Sequence, residues 1–509
     1  MNLAYALERN AAIKPDEPAI LFKNHSYTYK QINQETNRYA NLFEKYGIKK
    51  GDCISIWLPN GMEFIYAFYA ILKIGALAVP INYLFKKAEA LYILKNSDAK
   101  LLVTDNGKLE FAFEMLEELQ KLEKIAVNED LFSDNANLIS LKKELKVASN
   151  HKIACELSPD HGACVLYTSG TTGQPKGVEL SHFNVSLNAE FYADSIGLTD
   201  RHYGCIVTPL SHLLVLMAGL ILIFMKGGKF YLFERFNAQE VASKIHQEKI
   251  NFFIGVPAMY YMFLTLPEEE KYDMSSLQIC ITSGAHMPLE VRRKFEERFQ
   301  TFTIQAYGQT ESSPVITVDQ ISKERRFESV GLPLPHIEVK IVDEKGNEQP
   351  PGKPGEIIAR GHCVMKGYWK NEEATKNTVK NGWLYTGDIG KMDEDGYVYL
   401  LDRLKEMIIS GGYNIYPKEL ENVLYQHPAV LEAAVIGIED ERLGEIPKAF
   451  IVLKEDSTVT TKEIKKFSES QLASYKRIRE VEFVEEIPKT PTGKLMKRRL
   501  VEQENAKLK

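Results

Sequence analysis

The sequence predicts an α/β protein: a large N-terminal domain of stacked, mostly parallel α/β sheets over 1–401, with a β-rich subdomain at about 331–401, and a small α+β C-terminal domain over 402–509. Three observations predict it. Strand-length apolar runs alternate with helical three-and-four patterns, as in parallel sheets covered by helices. From about Gly331, "VKIVDEKGNEQPPGKPGEIIARG" switches to apolar/polar alternation around Gly and Pro turns, as antiparallel strands do. Beyond the charged, glycine-flanked "DRLKEMIISGGYNIYP", further strands and helices fill about a hundred residues, an ordinary domain size.

Taken in order, a first helix precedes the hairpin-like "PAILFKNHSYTYKQI". "GDCISIWLPNGMEFIYAFYAILKIGALAVPIN" then reads as strand, helix, strand. The pattern recurs in "AKLLVTD", in "YGCIVTP" followed by an apolar helix and "GGKFYLF", and in "INFFIGVP", a helix, and "LQICITSGA". The Glu/Lys-rich stretch from Glu110 to Lys124 reads as a solvated helix. In the last domain "AVLEAAVIGI", "PKAFIVL" and "REVEFVEE" are strands separated by helices.

The chain has 509 residues, 44% of them hydrophobic and 26% charged, an ordinary globular composition. A net charge of -6 argues against nucleic acid as a partner and favours small-molecule chemistry. The six cysteines, Cys53, Cys155, Cys164, Cys205, Cys280 and Cys363, show no C-x-x-C spacing and read as reduced thiols of a cytoplasmic protein. Glu8, Arg9 and Lys14 interrupt any apolar core a signal peptide would need. The apolar run from Leu213 to Met225 is shorter than the roughly 18 residues that span a bilayer, so it reads first as a buried helix and second as a peripheral membrane contact. Monomer and homodimer both stay open.

The strand "GACVLY" runs into "TSGTTGQPKGVELSH", where Thr168, Ser169, Gly170, Thr171, Thr172 and Gly173 precede Lys176. Small residues let backbone amides turn toward an anion, hydroxyls add donors, and the lysine adds charge: this is a phosphate cradle by chemistry. It is not a P-loop of the G-x-x-x-x-G-K-[ST] type, because Pro175 stands five residues after Gly170 and Gly177 follows Lys176.

"TSGAHMPL" (282–289), "YGQTE" (307–311), "GWLYTGD" (382–388), "DRLKEMIISGGYNIYP" (402–417) and "PKTPTGKLMKRRL" (488–500) follow that loop. In this order and spacing, over nearly the whole chain, the sequence resembles the adenylate-forming acyl-CoA synthetase and luciferase-like family, most of all its bacterial medium- and long-chain fatty acyl-CoA ligases. The resemblance implies two steps: a carboxylate joins the α-phosphate of ATP and pyrophosphate leaves, then the coenzyme A thiol displaces AMP. In the first step two anions meet, so positive charge and a metal are needed.

The resemblance assigns roles residue by residue. Glu311, with the Thr168 hydroxyl, matches the Mg²⁺ ligands, a hard cation taking carboxylate and phosphate oxygen. Tyr307, Gly308, Gln309 and Thr310 match residues that flank adenine and reach the α-phosphate, and Gly284 with Ala285 the wall across the adenine ring. Asp388 matches the acceptor of the ribose hydroxyls and Arg403 its partner. Lys494 matches the lysine that a mobile C-terminal domain brings against carboxylate and α-phosphate, bridging both anions. Lys176 then holds the departing β and γ phosphates. The following Lys497, Arg498 and Arg499 read as a solvated basic face, with a contact to coenzyme A phosphates as the alternative.

For the second step the family swings its C-terminal domain about a hinge, here at about 402–406 with Lys405 at the hinge position. That brings Gly411 and Gly412 of "SGGYN" to the pantetheine channel, where absent side chains leave room. His212 matches a position near carboxylate and tunnel, with gating favoured over base catalysis; a purely structural histidine is equally compatible with one sequence. Ser211 and His212 precede an apolar run where amino-acid-activating relatives have an aspartate, so an uncharged, hydrophobic acid is implied. Val256, Pro257 and Met259 either line that pocket or simply pack the core.

The leading expectation is therefore an ATP-, Mg²⁺- and coenzyme A-dependent fatty acid ligase. A fatty acyl-AMP ligase serving an acyl carrier protein is the nearest rival; the lack of an obvious inserted segment between Glu311 and Asp402 favours coenzyme A. An aryl-CoA ligase differs only in pocket shape. A nucleotide-binding scaffold without catalysis is opposed by Lys494, Glu311 and Asp388, and a luciferase-type oxygenase would share the same motifs.

Overall fold

The computed structural model describes residues 2–507 apart from 130–135, 169–173, 268–271, 286, 456 and 490–494. Its local signals agree with its tertiary structure. The helix Tyr29–Lys45 starts at a capping box: Thr28 Oγ1 accepts the Gln31 N–H at 3.2 Å while the Thr28 N–H donates to the Gln31 side chain at 2.9 Å. The preceding strands Pro18–Phe22 and His25–Thr28 pair antiparallel around Lys23 and Asn24, both at positive φ, a tight hairpin turn.

Two large sheets form the body. The nine-stranded one runs Leu332–Pro333, Thr317–Val318, Thr303–Tyr307, Ile279–Thr282, Phe252–Gly255, Tyr203–Ile206, Lys229–Leu232, Pro18–Phe22, His25–Thr28, parallel from Thr303–Tyr307 to Pro18–Phe22. The eight-stranded one runs Gly367–Tyr368, Lys176–Ser181, Gly162–Thr168, Leu77–Pro80, Cys53–Trp57, Leu101–Thr104, Lys124–Val127, Leu138–Ser140. There the parallel run ends at Gly162–Thr168, and the first two strands are antiparallel additions. All five residues of Cys53–Trp57 are buried, as expected of a strand covered on both faces.

A five-stranded antiparallel sheet follows, built on Ile337–Val342, Gly355–Gly361, Trp383–Met392, Val379–Lys380 and Val398–Arg403. Then come the strands Ile408–Ser410, Tyr413–Ile415, Val430–Asp440, Gly444–Leu453 and Glu480–Phe483, with helices Pro417–Leu424, Thr461–Glu469 and Lys497–Lys507. This last unit has apolar clusters of its own, around Leu420, Val435 and Ile451 and around Phe450, Ile487 and Leu500.

Two expectations change. The Glu110 to Lys124 stretch is a helix only to Met115; a 3₁₀ turn follows, Leu119 and Leu122 are buried, and Lys124 already opens a strand. The Leu213 segment is helical but interrupted: Leu213–Val215 is α, Leu216–Ile221 is π, and Leu222–Lys226 is α again. Leu213 through Phe224 are all buried, so this segment presents no apolar face to a membrane, and the peripheral contact expected of it is withdrawn. No helix among the described residues is long and apolar enough to cross a bilayer.

Candidate active site

Parallel strands in an α/β sheet leave their C-terminal ends as the place where loops converge on ligands. In the nine-stranded sheet those ends carry His212, Val256, Gly284 and the 307–311 run. Gly255 is in register with Thr282, and Thr282 with Gln305, which sets the three loops side by side.

Tyr307 closes its strand and is buried. Its hydroxyl donates to Asp388 Oδ2 at 2.9 Å, and burial together with the Asp388 charge holds that phenol well above its ordinary pKa. Asp388 faces Arg403 across the antiparallel pair Trp383–Met392 and Val398–Arg403, with Arg403 Nε 3.6 Å from Asp388 Oδ1. The β-rich sheet thus delivers a carboxylate and a guanidinium to the tyrosine of the large sheet. Gly308 follows because nothing else fits: a Cβ there would lie 2.0 Å from the carbonyl oxygen of Pro314. The Gln309 N–H donates to Ser312 Oγ at 2.9 Å, closing the 3₁₀ turn Thr310–Ser312 that presents Glu311.

Glu311 has a neighbour that the motifs did not name. Tyr368 Oη donates to Glu311 Oε1 at 2.8 Å, and the Met365 N–H donates to the Glu311 carbonyl at 3.0 Å. Tyr368 pairs with Val178 beside the loop strand, and Lys176 Nζ stands 4.8 Å over its ring. Lys176 itself lies opposite Thr168 in the antiparallel pair, so Thr168, Lys176, Tyr368 and Glu311 form one group. Tyr368 belongs to "MKGYWK", which carries no spacing signal; only pairing of its two-residue strand with Lys176–Ser181 brings it here.

The Glu311 carboxylate makes no ion pair among the described residues, and no cluster of three or more His, Cys, Asp or Glu there could hold a metal by itself. Among the described residues, one carboxylate with an oxygen uncommitted fits Mg²⁺ taken up largely through nucleotide phosphates rather than an all-protein cage.

Gly284 adopts φ +83°, the left-handed region, and lies exposed just past Ile279–Thr282 with half-buried Ala285 after it. A Cβ on Gly284 would face Val256 Cγ1 at 3.7 Å and Leu214 Cδ2 at 3.8 Å, so this glycine borders an apolar wall. Val256 and Met259 are buried in the cluster beneath it, and Pro257 opens the helix Pro257–Leu264. His212 is half-buried at the start of the Leu213 segment, after Ser211.

Lys405 sits in the turn at 404–406, where the Glu406 and Met407 N–H groups both donate to the Arg403 carbonyl. Gly411 and Gly412, at φ +57° and +83°, form the exposed two-residue turn between Ser410 and Tyr413. Ser169, Gly170, Thr171, Thr172, Gly173 and Lys494 lie outside the described residues. The basic run after Lys494 divides. Arg498 and Arg499 are exposed, whereas Lys497 is 11% exposed and ion-paired to Glu421 at 2.7 Å and Glu406 at 3.3 Å. For Lys497 the solvated-face expectation is therefore corrected: two carboxylates compensate its burial.

Two large sheets, an antiparallel subdomain facing them with an aspartate, and a small following domain define the adenylate-forming enzyme fold. The chain belongs to the AMP-binding enzyme family: the model of that family matches residues 7–369, and the AMP-binding enzyme C-terminal domain matches 419–494. It is 34% identical to a long-chain-fatty-acid–CoA ligase of Bacillus subtilis, over 98% of this chain and 94% of that protein. It is 32% identical to a feruloyl-CoA synthase of an Amycolatopsis species, over 96% of each. The solved structure of the anthranilate CoA ligase AuaEII with anthranoyl-AMP superposes with a TM-score of 0.93 at 30% identity, covering 100% of this chain and 98% of that one. As a class, the chain is an AMP-forming ligase that joins an acid to coenzyme A through an adenylate.

Proposed function

We propose that the acid is a fatty acid. The observation that carries this reading is the wall beyond Gly284, where Val256 and Leu214 place methyl groups 3.7 and 3.8 Å from where a Gly284 Cβ would lie. Such surface suits an alkyl chain, at about 0.8 kcal/mol per buried CH₂.

In this reading Tyr307 and Gly284 with Ala285 border the adenine, and Asp388 with Arg403 receives the ribose. Lys176 and the 168–173 loop hold the β and γ phosphates. Glu311, oriented by Tyr368, and the Thr168 hydroxyl hold Mg²⁺, which screens phosphate charge when bound. A carboxylate oxygen attacks the α-phosphorus, the bond to the β-phosphate bridging oxygen breaks, and pyrophosphate leaves; Lys494 offsets the charge that accumulates. Coenzyme A then attacks the acyl carbon through sulfur, loses the thiol proton, and AMP departs with the electron pair of the broken acyl–oxygen bond. The C-terminal domain, 402–509, turns about 402–406 between the steps, and His212 gates the acid's carboxylate end. Six free cysteines, five of them buried, support a reducing, cytoplasmic setting.

A panel of carboxylic acids, assayed by pyrophosphate release with and without coenzyme A, tests this. Medium- or long-chain alkyl acids should give the highest kcat/KM, with turnover dependent on coenzyme A. A preference for cinnamic or benzoic acids would make the chain an aryl-CoA ligase, a reading favoured by the anthranilate ligase likeness. Adenylate release to a carrier protein only, with no thioester formed on coenzyme A, would point to the carrier-loading rival.

A further inference from the structure

The strands Gly355–Gly361 and Trp383–Met392 lose step with each other at one place. Glu356 pairs with Ile389 and Ile358 with Tyr385, so Ile357 alone stands opposite Thr386, Gly387 and Asp388. Extra residues on one strand of a pair bend it and re-aim its side chains, a device common beside active sites. Here the bulge ends on Asp388, the carboxylate that meets Tyr307 and Arg403. The regular ladder is interrupted there, and side chains bond the freed backbone groups. Glu356 Oε1 accepts the Gly387 N–H at 2.9 Å. Thr386 Oγ1 donates to the Ile357 carbonyl at 2.6 Å and accepts the Asp388 N–H at 3.1 Å.

Glu356 is half-buried and makes no ion pair among the described residues, where the Gly387 N–H is its carboxylate's one hydrogen-bond partner. Burial raises its pKa, the Gly387 N–H and Lys380 favour the charged form, and Asp388 opposes it. A carboxylate held out of water beside a second carboxylate is unfavourable unless its bond matters. Gly387 shows why the bond matters. It sits at φ +71°, with nothing within 4 Å of where a Cβ would lie, so side-chain packing does not hold it. Glycine is the residue with the most backbone freedom to lose, and hydrogen bonds must fix it here. On the other edge, Asp388 pairs with Arg403, the last residue of its strand, and the Leu404 N–H donates to the Gly387 carbonyl at 2.9 Å. The Leu404 bond comes from the turn proposed to swing, whereas Glu356 and Thr386 belong to the sheet itself.

We propose that Glu356 is a positioning residue for nucleotide recognition: by holding the Gly387 N–H, with Thr386 beside it, it fixes the bulge that aims Asp388 at the ribose hydroxyls. This rests on Asp388 receiving the ribose. The test compares pyrophosphate release by the full chain from ATP and from dideoxy-ATP, which lacks both ribose hydroxyls. In wild type the ratio of kcat/KM for the two should be roughly a hundred or more, since a site built to bond a hydroxyl rejects the analogue without it. Glu356→Leu should lower that ratio by roughly tenfold or more through ATP alone, with kcat/KM for dideoxy-ATP changed by less than about threefold. Glu356→Gln keeps an acceptor oxygen for the Gly387 N–H and should hold the ratio within about threefold of wild type. Thr386→Val should show the same selective loss, and it covers the case in which Glu356→Leu does not fold. A wild-type ratio in both Glu356→Leu and Thr386→Val, an equal loss on ATP and dideoxy-ATP, or a Glu356→Gln variant as impaired as Glu356→Leu would overturn the inference. Asp388→Ala, run in parallel, separates the two claims. If it keeps the wild-type ratio, the ribose assignment is wrong and the inference falls with it; if it alone loses the ratio, Asp388 stands and only the inference falls.

Discussion

Tyr368 shows how much one hydroxyl can decide. Its donation to Glu311 sets which carboxylate oxygen is left over, and a hydrogen bond to a charged group is worth about 1.5 kcal/mol or more. Tyr368→Phe should therefore raise the Mg²⁺ concentration for half-maximal pyrophosphate release by roughly tenfold, with thermal midpoint nearly unchanged. An unaltered Mg²⁺ profile with a lowered midpoint would make Tyr368 a strut and nothing more. At the same scale, two histidines report on acid. Burial, with a lesser push from neighbouring His161 and the N-terminus, lowers His182 from 6.5 to about 3; burial and His336 lower His362 to about 4. Both imidazoles stay neutral in the folded chain while the unfolded chain takes up protons below about 6.5. Their contribution to stability is thus full above 6.5 and is lost as pH falls toward 4 and then 3. The urea midpoint should drop across that window. His182→Asn, which keeps an acceptor for the Leu3 N–H, should show a shallower drop than wild type.

At the scale of elements, glycine and register do most of the placing. Gly308→Ala would push a Cβ to 2.0 Å from the Pro314 carbonyl oxygen, a contact with backbone that no rotamer relieves. The 307–311 segment would have to shift, carrying Tyr307 away from Asp388 and turning Glu311. ATP binding measured by calorimetry should weaken by roughly a hundredfold or more, a loss of about 2.8 kcal/mol; wild-type affinity would mean the turn can re-form elsewhere. The antiparallel register that sets Asp388 opposite Arg403 is equally specific, since a one-residue slip of either strand would turn its side chain to the other face and part the two. The strand and helix alternation, the β-rich switch after Gly331 and the last domain's strands were legible in the sequence, because burial on two faces, on one face, or in short alternating runs leaves different hydrophobic periods. The π-helical turn at Leu216–Ile221 was not: the run is apolar all round, so no period distinguishes π from α, and what the sequence shows there is burial alone.

For the whole molecule, the swing proposed between half-reactions turns about 404–406. Among the described residues this segment is held by backbone bonds to Arg403 and Gly387, with the Glu406 to Lys497 pair at its edge. Lys405→Pro, which fixes φ at that position, should leave acid-dependent pyrophosphate exchange largely intact and reduce thioester formation from supplied acyl-AMP by roughly tenfold or more. Normal thioester formation in that variant would rule out a swing about this turn.

By itself the sequence determined the fold class and the family, and it nominated the glycines, carboxylates and lysines proposed for the site, because each rests on residue type at short spacing: a glycine between polar residues, a carboxylate in a turn, an apolar run of set period. Only the tertiary structure decided which of them meet. Tyr307 reaches Asp388 across 81 residues, Tyr368 reaches Glu311 across 57, and Lys497 leaves the basic face for two carboxylates. Those contacts come from strand register and from the cost of burying unpaired charge, and neither is written in the local spacing of any one segment.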